Sequence, residues 1–113
     1  MTAQTPVLST ADQQPKTAQD FLQRAWKAHV HKNYIRAVGD FRKAMSIEPQ
    51  SAEACFGLGL SLKMMGKPND ALAAYQKTIQ LLDQGSLNDN PARAAMLRRL
   101  AQAHASQLAV AAN

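Results

Sequence analysis

Three histidines and one cysteine are the side chains of this 113-residue chain best suited to bind a transition metal, and the cysteine is also a possible nucleophile. His29 and His31 are two positions apart, so on a helix they point in nearly opposite directions and cannot share one ion. His104 stands alone near the C-terminus, without a cysteine or carboxylate cluster beside it. The sequence therefore predicts no metal site and no cofactor, and we interpret the histidines as structural.

Cys55 is the only cysteine, so it cannot form an intramolecular disulfide. It stands between Ala54 and Phe56 in a run typical of a helix interior, where a thiol is a small core residue rather than a reactive thiolate. The chain also lacks a glycine-rich phosphate loop and paired carboxylates. We therefore expect no enzymatic activity and no small-molecule substrate.

The composition favours helices, because the chain is rich in Ala, Leu, Gln and Lys and has few aromatic residues. Its length corresponds to one domain with a modest core. No stretch approaches the ~20 apolar residues of a membrane span, and no basic segment precedes an apolar run at the N-terminus. We expect an all-α, cytoplasmic protein without a membrane span.

The formal net charge of +5 raises the possibility of a nucleic-acid partner. Residues 18–51 carry a local excess of three and the C-terminal tail supplies the other two, whereas residues 52–85 are balanced, and no extended basic tract occurs. A solvated helical surface explains this pattern better than a stripe that follows phosphates. Nucleic-acid binding through the basic first half nevertheless stays an alternative, with Lys27, Arg36, Arg42 and Lys43 as its residues.

Residues 1–16 contain Pro6 and Pro15 among small polar residues, which predicts a flexible N-terminal arm. Residues 17–113 form the predicted helical domain, in which Thr17 and Ser51 are suitable helix caps. The apolar periodicity and the breaks at Pro and Gly predict five helices. These cover residues 18–31, 34–48, 52–65, 68–83 and 91–111.

An internal repeat becomes visible when the sequence is shifted against itself so that Ala18 meets Ala52. The further aligned pairs are Phe21 with Cys55, Ala25 with Gly59, Ala28 with Leu62, Ala37 with Ala71, Phe41 with Tyr75, and Met45 with Ile79. A helix-turn-helix period of about 34 residues resembles the tetratricopeptide repeat. The small residues of the pattern allow helices to cross closely, and the aromatic residues fill the spaces between them.

The resemblance implies antiparallel helical hairpins stacked in a right-handed superhelix, with repeats at 18–51 and 52–85 and a capping helix at 91–112. We align Leu97 of the capping helix with Cys55 and Leu100 with Leu58, after an eight-residue insertion. Leu97, Leu100 and Leu108 are expected to cover the second hairpin. One departure, Lys32 where the second copy has Gly66, predicts a looser first turn.

In tetratricopeptide proteins the first helices of successive repeats line a concave groove that binds a protein or peptide. The resemblance assigns to this groove Leu22, Trp26, Val30, Phe56, Leu60 and Met64, with Arg98 and Arg99 at its far end. The family's carboxylate-clamp subtype is not matched, because Leu22 and Trp26 stand where its Lys and Asn would be. We predict a scaffold or adaptor that binds an apolar or amphipathic segment.

Two alternatives to an open groove stay possible from the sequence. Neighbouring first helices, or the arm through Val7 and Leu8, could cover the apolar stripes, which would then be core. The chain could also be a subunit of a homo-oligomer that associates through the groove or the Ala-rich C-terminus.

Overall fold

The computed structural model describes residues 14–112, with side chains up to residue 110. Five α-helices and no strand occur in this part of the chain. We number the helices α1 to α5, and they span Ala18–Val30, Tyr34–Ile47, Ala52–Met64, Pro68–Asp83 and Pro91–Ala112. The predicted helices are confirmed, with boundaries that differ by at most one residue. Residues 1–13 of the predicted arm lie outside the described residues.

Side-chain caps explain where the helices begin. Thr17 and Asp20 form a reciprocal capping box at α1, in which Thr17 Oγ1 accepts from the Asp20 N–H and Asp20 Oδ2 accepts from the Thr17 N–H. Asn33 and Ser51 each accept from an N–H in the first turn of α2 and α3. Pro68 is the first residue of α4, where a backbone N–H would have no hydrogen-bond partner within the helix, so proline is tolerated there.

The two helix-connecting turns at Lys32 and Gly66 have the same backbone conformation. Lys32 has a φ of 65° and Gly66, the equivalent position of the second repeat, has a φ of 76°, so both lie in the left-handed region. The turns also make equivalent bonds, Asn33 N–H to Ala28 O at 2.8 Å and the Lys67 N–H to the corresponding carbonyl at 3.0 Å. The expectation of a looser first turn is therefore wrong, because lysine adopts the geometry of the glycine.

The helices are arranged in two layers. Helices α1, α3 and α5 contact one another in sequence, α2 packs on α1 and α3, and α4 packs on α3 and α5. Within the described residues, α2 and α4 do not approach each other closely. Consecutive helices thus form two hairpins and a fifth helix, with the odd-numbered helices side by side in one layer.

The core depends on two glycines of α3 that let aromatic rings of neighbouring helices lie against its backbone. A Cβ atom at Gly57 would be 2.3 Å from the Phe41 ring, and one at Gly59 would be 2.7 Å from the Tyr75 ring. Both rings are fully buried. The sequence analysis identified Gly59 as a close-packing position but not Gly57.

A buried ion pair joins α1 to α2. Arg24 Nε and Nη2 each donate to one carboxylate oxygen of Asp40 at 2.9 Å. The Asp40 side chain is only 8% exposed, so this bidentate pairing compensates for the loss of hydration of the carboxylate. In the second repeat the corresponding positions hold Leu58 and Ala74. The first hairpin therefore replaces an apolar pair with a charged one.

Helix α5 covers the second hairpin through only part of the predicted set. Leu97 and Leu108 are buried, but Leu100 is 42% exposed, so the prediction that Leu100 covers the hairpin is wrong.

The alignment of α5 with α3 also shifts by one residue. Ser61 of α3 contacts His29 of the preceding odd-numbered helix, and His104 of α5 contacts Lys63 of α3. Lys63 aligns with His29 in the shifted sequence, so the residues that contact them, His104 and Ser61, also occupy equivalent positions. This correspondence indicates a nine-residue insertion before α5, one residue longer than the sequence alignment gives.

We predict that Gly57→Ala and Gly59→Ala each destabilise the protein by about 1–3 kcal/mol, because the buried rings that they would touch have little space to move. Gly39→Ala is the matched control, since a Cβ there meets no atom within 4 Å in the middle of α2. It should stabilise by about 0.4–1 kcal/mol. Urea unfolding of the three variants measures these differences, and a similar response of all three would contradict the close-approach argument.

Leu97→Ala should lower the free energy of unfolding by about 2–5 kcal/mol, because it leaves a cavity between α5 and the second hairpin. Leu100→Ala, three residues away on the same helix, should cost less than about 1 kcal/mol. Thermal melts of both variants test whether α5 is an integral part of the fold. Equal melting temperatures would mean that α5 is not held by Leu97.

Candidate partner-binding face

The odd-numbered helices share a surface on the side away from α2 and α4, which we call the first-helix face. Its apolar side chains lie one helical turn apart in pairs on α1, α3 and α5. They are Trp26 and Val30, Leu60 and Met64, and Met96 and Leu100. On α3 the contact to α4 is made at Gly59, and Leu60 and Met64 point about 100° and 140° away from it.

The predicted groove residues fall into three levels of exposure. Leu22 and Phe56, in the first half of their helices, are buried and belong to the core. Trp26 and Leu60 are partly buried and pack against it. Val30 and Met64, which follow one turn later, are 73% and 57% exposed. The stripes are therefore core at their N-terminal ends and open at their C-terminal ends.

Aromatic contacts hold Trp26 next to the exposed C-terminal end of the apolar stripe on α1. Its ring meets the Phe41 ring of α2 edge-on, with centroids 4.9 Å apart, and the His29 ring at 5.9 Å. The indole is thus fixed in orientation while part of it reaches the surface. Its emission can report on changes at this face.

Helix α5 presents Met96 and Leu100 beside α3. Two surface contacts show its rotation: Arg93 pairs with Glu53 of α3, and Arg98 Nη1 pairs with Asp83 of α4 at 2.6 Å. Met96 and Leu100 lie on the remaining side next to α3 and are 51% and 42% exposed. The sequence analysis did not assign these two residues to the groove.

Arg98 and Arg99, which were predicted to lie at the far end of the groove, have different surroundings. Arg98 is engaged by Asp83 on the α4 side of α5, and Arg99 is exposed. Met96 and Leu100 follow Arg93 by one and two helical turns, so a known contact between Arg93 and α3 would have identified them as neighbours of the groove. The sequence does not show this contact, because it depends on the rotation of α5, which tertiary contacts determine.

A cavity with a volume of about 570 Å³ lies at the start of α1 and α3. Leu22, Ile47 and Leu87 supply apolar walls, and Glu48 and Glu53 supply carboxylates. Ser86 Oγ accepts from the Ala52 N–H at 3.3 Å and so ties the α4–α5 loop to the rim. Leu22 is the predicted groove residue that lines this cavity.

Polar contacts to α3 join the odd-numbered helices. His29 Nδ1 on α1 is 2.9 Å from Ser61 Oγ, which is fully buried. His104 Nδ1 on α5 is 3.3 Å from Lys63 Nζ. An ammonium group has only donors, so neutral His104 accepts at Nδ1 and carries its proton on Nε2.

Aromatic rings enclose both imidazoles. His104 stacks on Tyr75 with ring centroids 5.2 Å apart and lies 6.0 Å from Phe56, whereas His29 meets Tyr34 at 5.3 Å. Burial lowers the pKa of both histidines, and the nearby Lys63 ammonium lowers that of His104 further. Both are structural residues at helix contacts.

Cys55 and Tyr75 are core residues rather than reactive groups. Burial raises the pKa of the Cys55 thiol to about 11 and that of the Tyr75 hydroxyl to about 12. The prediction that Cys55 is a core residue is confirmed, since its side chain is fully buried. Among the described side chains, no group of three or more His, Cys, Asp or Glu is arranged to hold a metal ion.

Neither the profiles of known protein families nor curated protein sequences match this chain. The resemblance to the tetratricopeptide repeat therefore stays a prediction. Within residues 14–112, no helix has both the length and the apolar character needed to cross a bilayer.

We predict that stability falls as the pH is lowered from about 7 to about 5. The folded protein lowers the pKa of His29 and His104 below the ordinary value of 6.5, so the unfolded chain binds more protons in this range. Stability is full above pH 6.5 and is lost as the pH falls through the folded-state values. The double variant His29→Gln and His104→Gln should flatten the profile, measured by urea unfolding at several pH values; an unchanged slope would contradict the role of these residues.

Proposed function

We propose that this chain is a tetratricopeptide-like module that binds an apolar or amphipathic segment of a partner protein on its first-helix face. The observation that carries the proposal is the set of exposed apolar side chains on the odd-numbered helices: Val30 and Met64 at the C-terminal ends of α1 and α3, and Met96 near the start of α5. Apolar side chains grouped on one surface commonly indicate a binding site. In this proposal the chain is a scaffold or adaptor without catalytic activity.

Repeat geometry supports the assignment to this family. The matched left-handed turns at Lys32 and Gly66 and the contacts of α3 with both other odd-numbered helices agree with stacked helical hairpins of one repeated length. In such an array the first helices face the ligand. The face is then wide enough for a segment that crosses three helices, about 20 Å at helix spacings of 8–10 Å.

The chemistry of the face suits an apolar segment more than a charged one. Methionine side chains are flexible and polarisable, and Met64 and Met96 can adjust to differently shaped apolar partners. Glu53 and Arg93 pair with each other across α3 and α5, and Lys63 donates to neutral His104 and keeps its positive charge.

The large cavity beside Leu22 offers a place for an anchoring side chain of the same segment. Interfaces draw much of their binding energy from a few apolar or aromatic anchors in well-packed pockets. Ile47, 46% exposed at the end of α2, would gain burial when such an anchor enters. The cavity and the first-helix face share α1 and α3, so one ligand can use both.

The first experiment captures partners from a lysate with the immobilised full chain and identifies them by mass spectrometry. Met64→Glu combined with Leu100→Glu places two charges on the face and should remove the specific partners. Ile35→Glu is the control, because Ile35 is 76% exposed on α2, away from the face. Partners that survive the double variant but are lost with Ile35→Glu would contradict the proposal.

A synthetic segment of the captured partner then allows a direct measurement. Binding should shift the emission of Trp26 to the blue, because the half-buried indole becomes more shielded from water. The double variant should weaken the affinity by at least about tenfold, or about 1.4 kcal/mol, while its melting temperature stays near that of the wild type. A fall in melting temperature that matches the loss of binding would mean that the face is part of the core.

A further inference from the structure

Helix α5 carries a row of exposed side chains that none of the other described helices covers. The row, which we call the α5 seam, follows spacings of four, three, four and three residues along the helix. Its members are Met96, Leu100, Ala103, Gln107 and Val110. This alternation keeps side chains on one stripe of a helix and is the pattern by which two long helices pack along each other. The seam therefore has the form of a surface for another helix.

The seam is separate from the side of α5 that packs on the second hairpin. Leu97 and Leu108 are buried, whereas Met96, Leu100 and Val110 are 51%, 42% and 75% exposed. At about 100° per residue, the centre of the seam lies about 120° around the helix from the buried residues. In the part of the chain that the structure describes, the only helices that contact α5 are α3 and α4. The seam begins within the first-helix face and continues beyond it toward the C-terminus.

The charged side chains of α5 are confined to its first half. Arg93, Arg98 and Arg99 lie there, and residues 100–112 contain no charged side chain. Two parallel copies of α5 would place the arginines of both copies at one end. Two antiparallel copies place the arginines of each beside the uncharged second half of the other, toward the end of the helix where the backbone dipole is negative. The charge distribution thus favours a second, antiparallel copy of α5 as the occupant of the seam.

The side chains of the seam are complementary in size to the same seam running in the opposite direction. When Leu100 lies opposite Ala103 of a second copy, two-fold symmetry also places Ala103 opposite Leu100 of that copy. In the same register Met96 lies opposite Gln107, a long and flexible residue. A large residue opposite a small one allows two helices to pack closely without a void.

We infer that the α5 seam binds the α5 seam of a second copy of this chain, in antiparallel orientation, to form a two-fold symmetric dimer. This inference does not rest on the proposed function, although the two surfaces share Met96 and Leu100. A partner segment and a second copy therefore compete for these residues. One helix from each copy buries less than the roughly 800 Å² per partner of a standard interface. The dimer should thus be weak, with a dissociation constant of about 10–100 µM.

Sedimentation equilibrium of the full chain at concentrations from about 5 to about 500 µM tests the inference. The mean mass should rise from that of one chain toward that of two chains. A mass of one chain at every concentration overturns the inference, and so does growth that continues beyond two chains.

Two Ala→Glu variants separate the seam from the rest of α5. Ala103→Glu places a charge in the middle of the seam and should weaken self-association by about tenfold or more. Ala109→Glu is the matched control, since Ala109 is also exposed but lies about 140° around the helix from the centre of the seam. Both variants should keep the wild-type melting temperature. Equal effects of the two on self-association overturn the inference.

Gln107→Leu provides a test in the opposite direction. Replacing the one polar residue of the seam should strengthen self-association by about tenfold, with assembly still ending at two chains. A gain that stops at the dimer cannot result from a loss of folding. Unchanged or weaker association overturns the inference.

A spin label measures the orientation of the two helices. Ser106→Cys, beside the seam, carries a nitroxide, and Cys55 does not compete for the label because its side chain is fully buried. In a mixture with isotope-labelled chain that lacks the nitroxide, antiparallel pairing places the strongest broadening of amide signals near Leu97 of the second copy. Parallel pairing places it near Ser106 and overturns the inference.

Partner capture distinguishes this inference from the proposed function. Ala103 lies outside the first-helix face, so Ala103→Glu should lose self-association and retain captured partners. Val30→Glu, on α1, should have the reverse effect, because Val30 belongs to the face and not to the seam. Loss of self-association with Val30→Glu as large as that with Ala103→Glu would overturn the inference, since the contact between copies would then not be confined to α5.

Discussion

Helix α3 is the element on which the rest of the structure depends, because each of the other four helices packs on it. Nine of its thirteen residues are buried, and Gly57 and Gly59 allow the rings of Phe41 and Tyr75 to lie against its backbone from neighbouring helices. A larger side chain at Gly57 would push α3 away from α2 of the first hairpin, and one at Gly59 would push it away from α4 within the second hairpin. The close approaches at α3 thus set its distance from the two even-numbered helices.

Polar side chains at the helix contacts give this small core its register. Arg24 and Asp40 join α1 to α2, while His29 and His104 reach α3 from opposite sides. If a helix shifted along its neighbour, the hydrogen-bonding group at each contact would lose its partner. Leaving such a group unpaired costs more free energy than the hydrogen bond contributes to stability. Neutral imidazoles are part of this arrangement, so acid weakens the contacts between the odd-numbered helices.

Apolar and charged surfaces are separated on the two sides of α1. Trp26 and Val30 belong to the first-helix face, whereas Lys27 and His31, the next residues after each, line a depression at the turn between α1 and α2. This separation follows from the turn of about 100° per residue in a helix. The two sides of α1 therefore differ in surface chemistry.

The sequence by itself determined the helices and their caps, because these depend on local propensity and on spacing along the chain. It also indicated that Cys55 and Ala25 are core residues. Tertiary structure alone decided how far each apolar stripe is covered: Leu22 and Phe56 are buried, while Val30 and Met64 at the same spacing are exposed. Periodicity identifies a face but not what packs against it.

The rotation of α5 and the partners of charged residues were likewise decided only by packing. The loop before α5 interrupts the alignment, so the sequence assigned Leu100 to the core, although burial of Leu97, Ala101 and Leu108 leaves it on the surface. The pair of Arg24 and Asp40 left a signal, because both replace apolar residues of the second repeat. Linking the two required knowing that they meet in space, which depends on how the two helices pack.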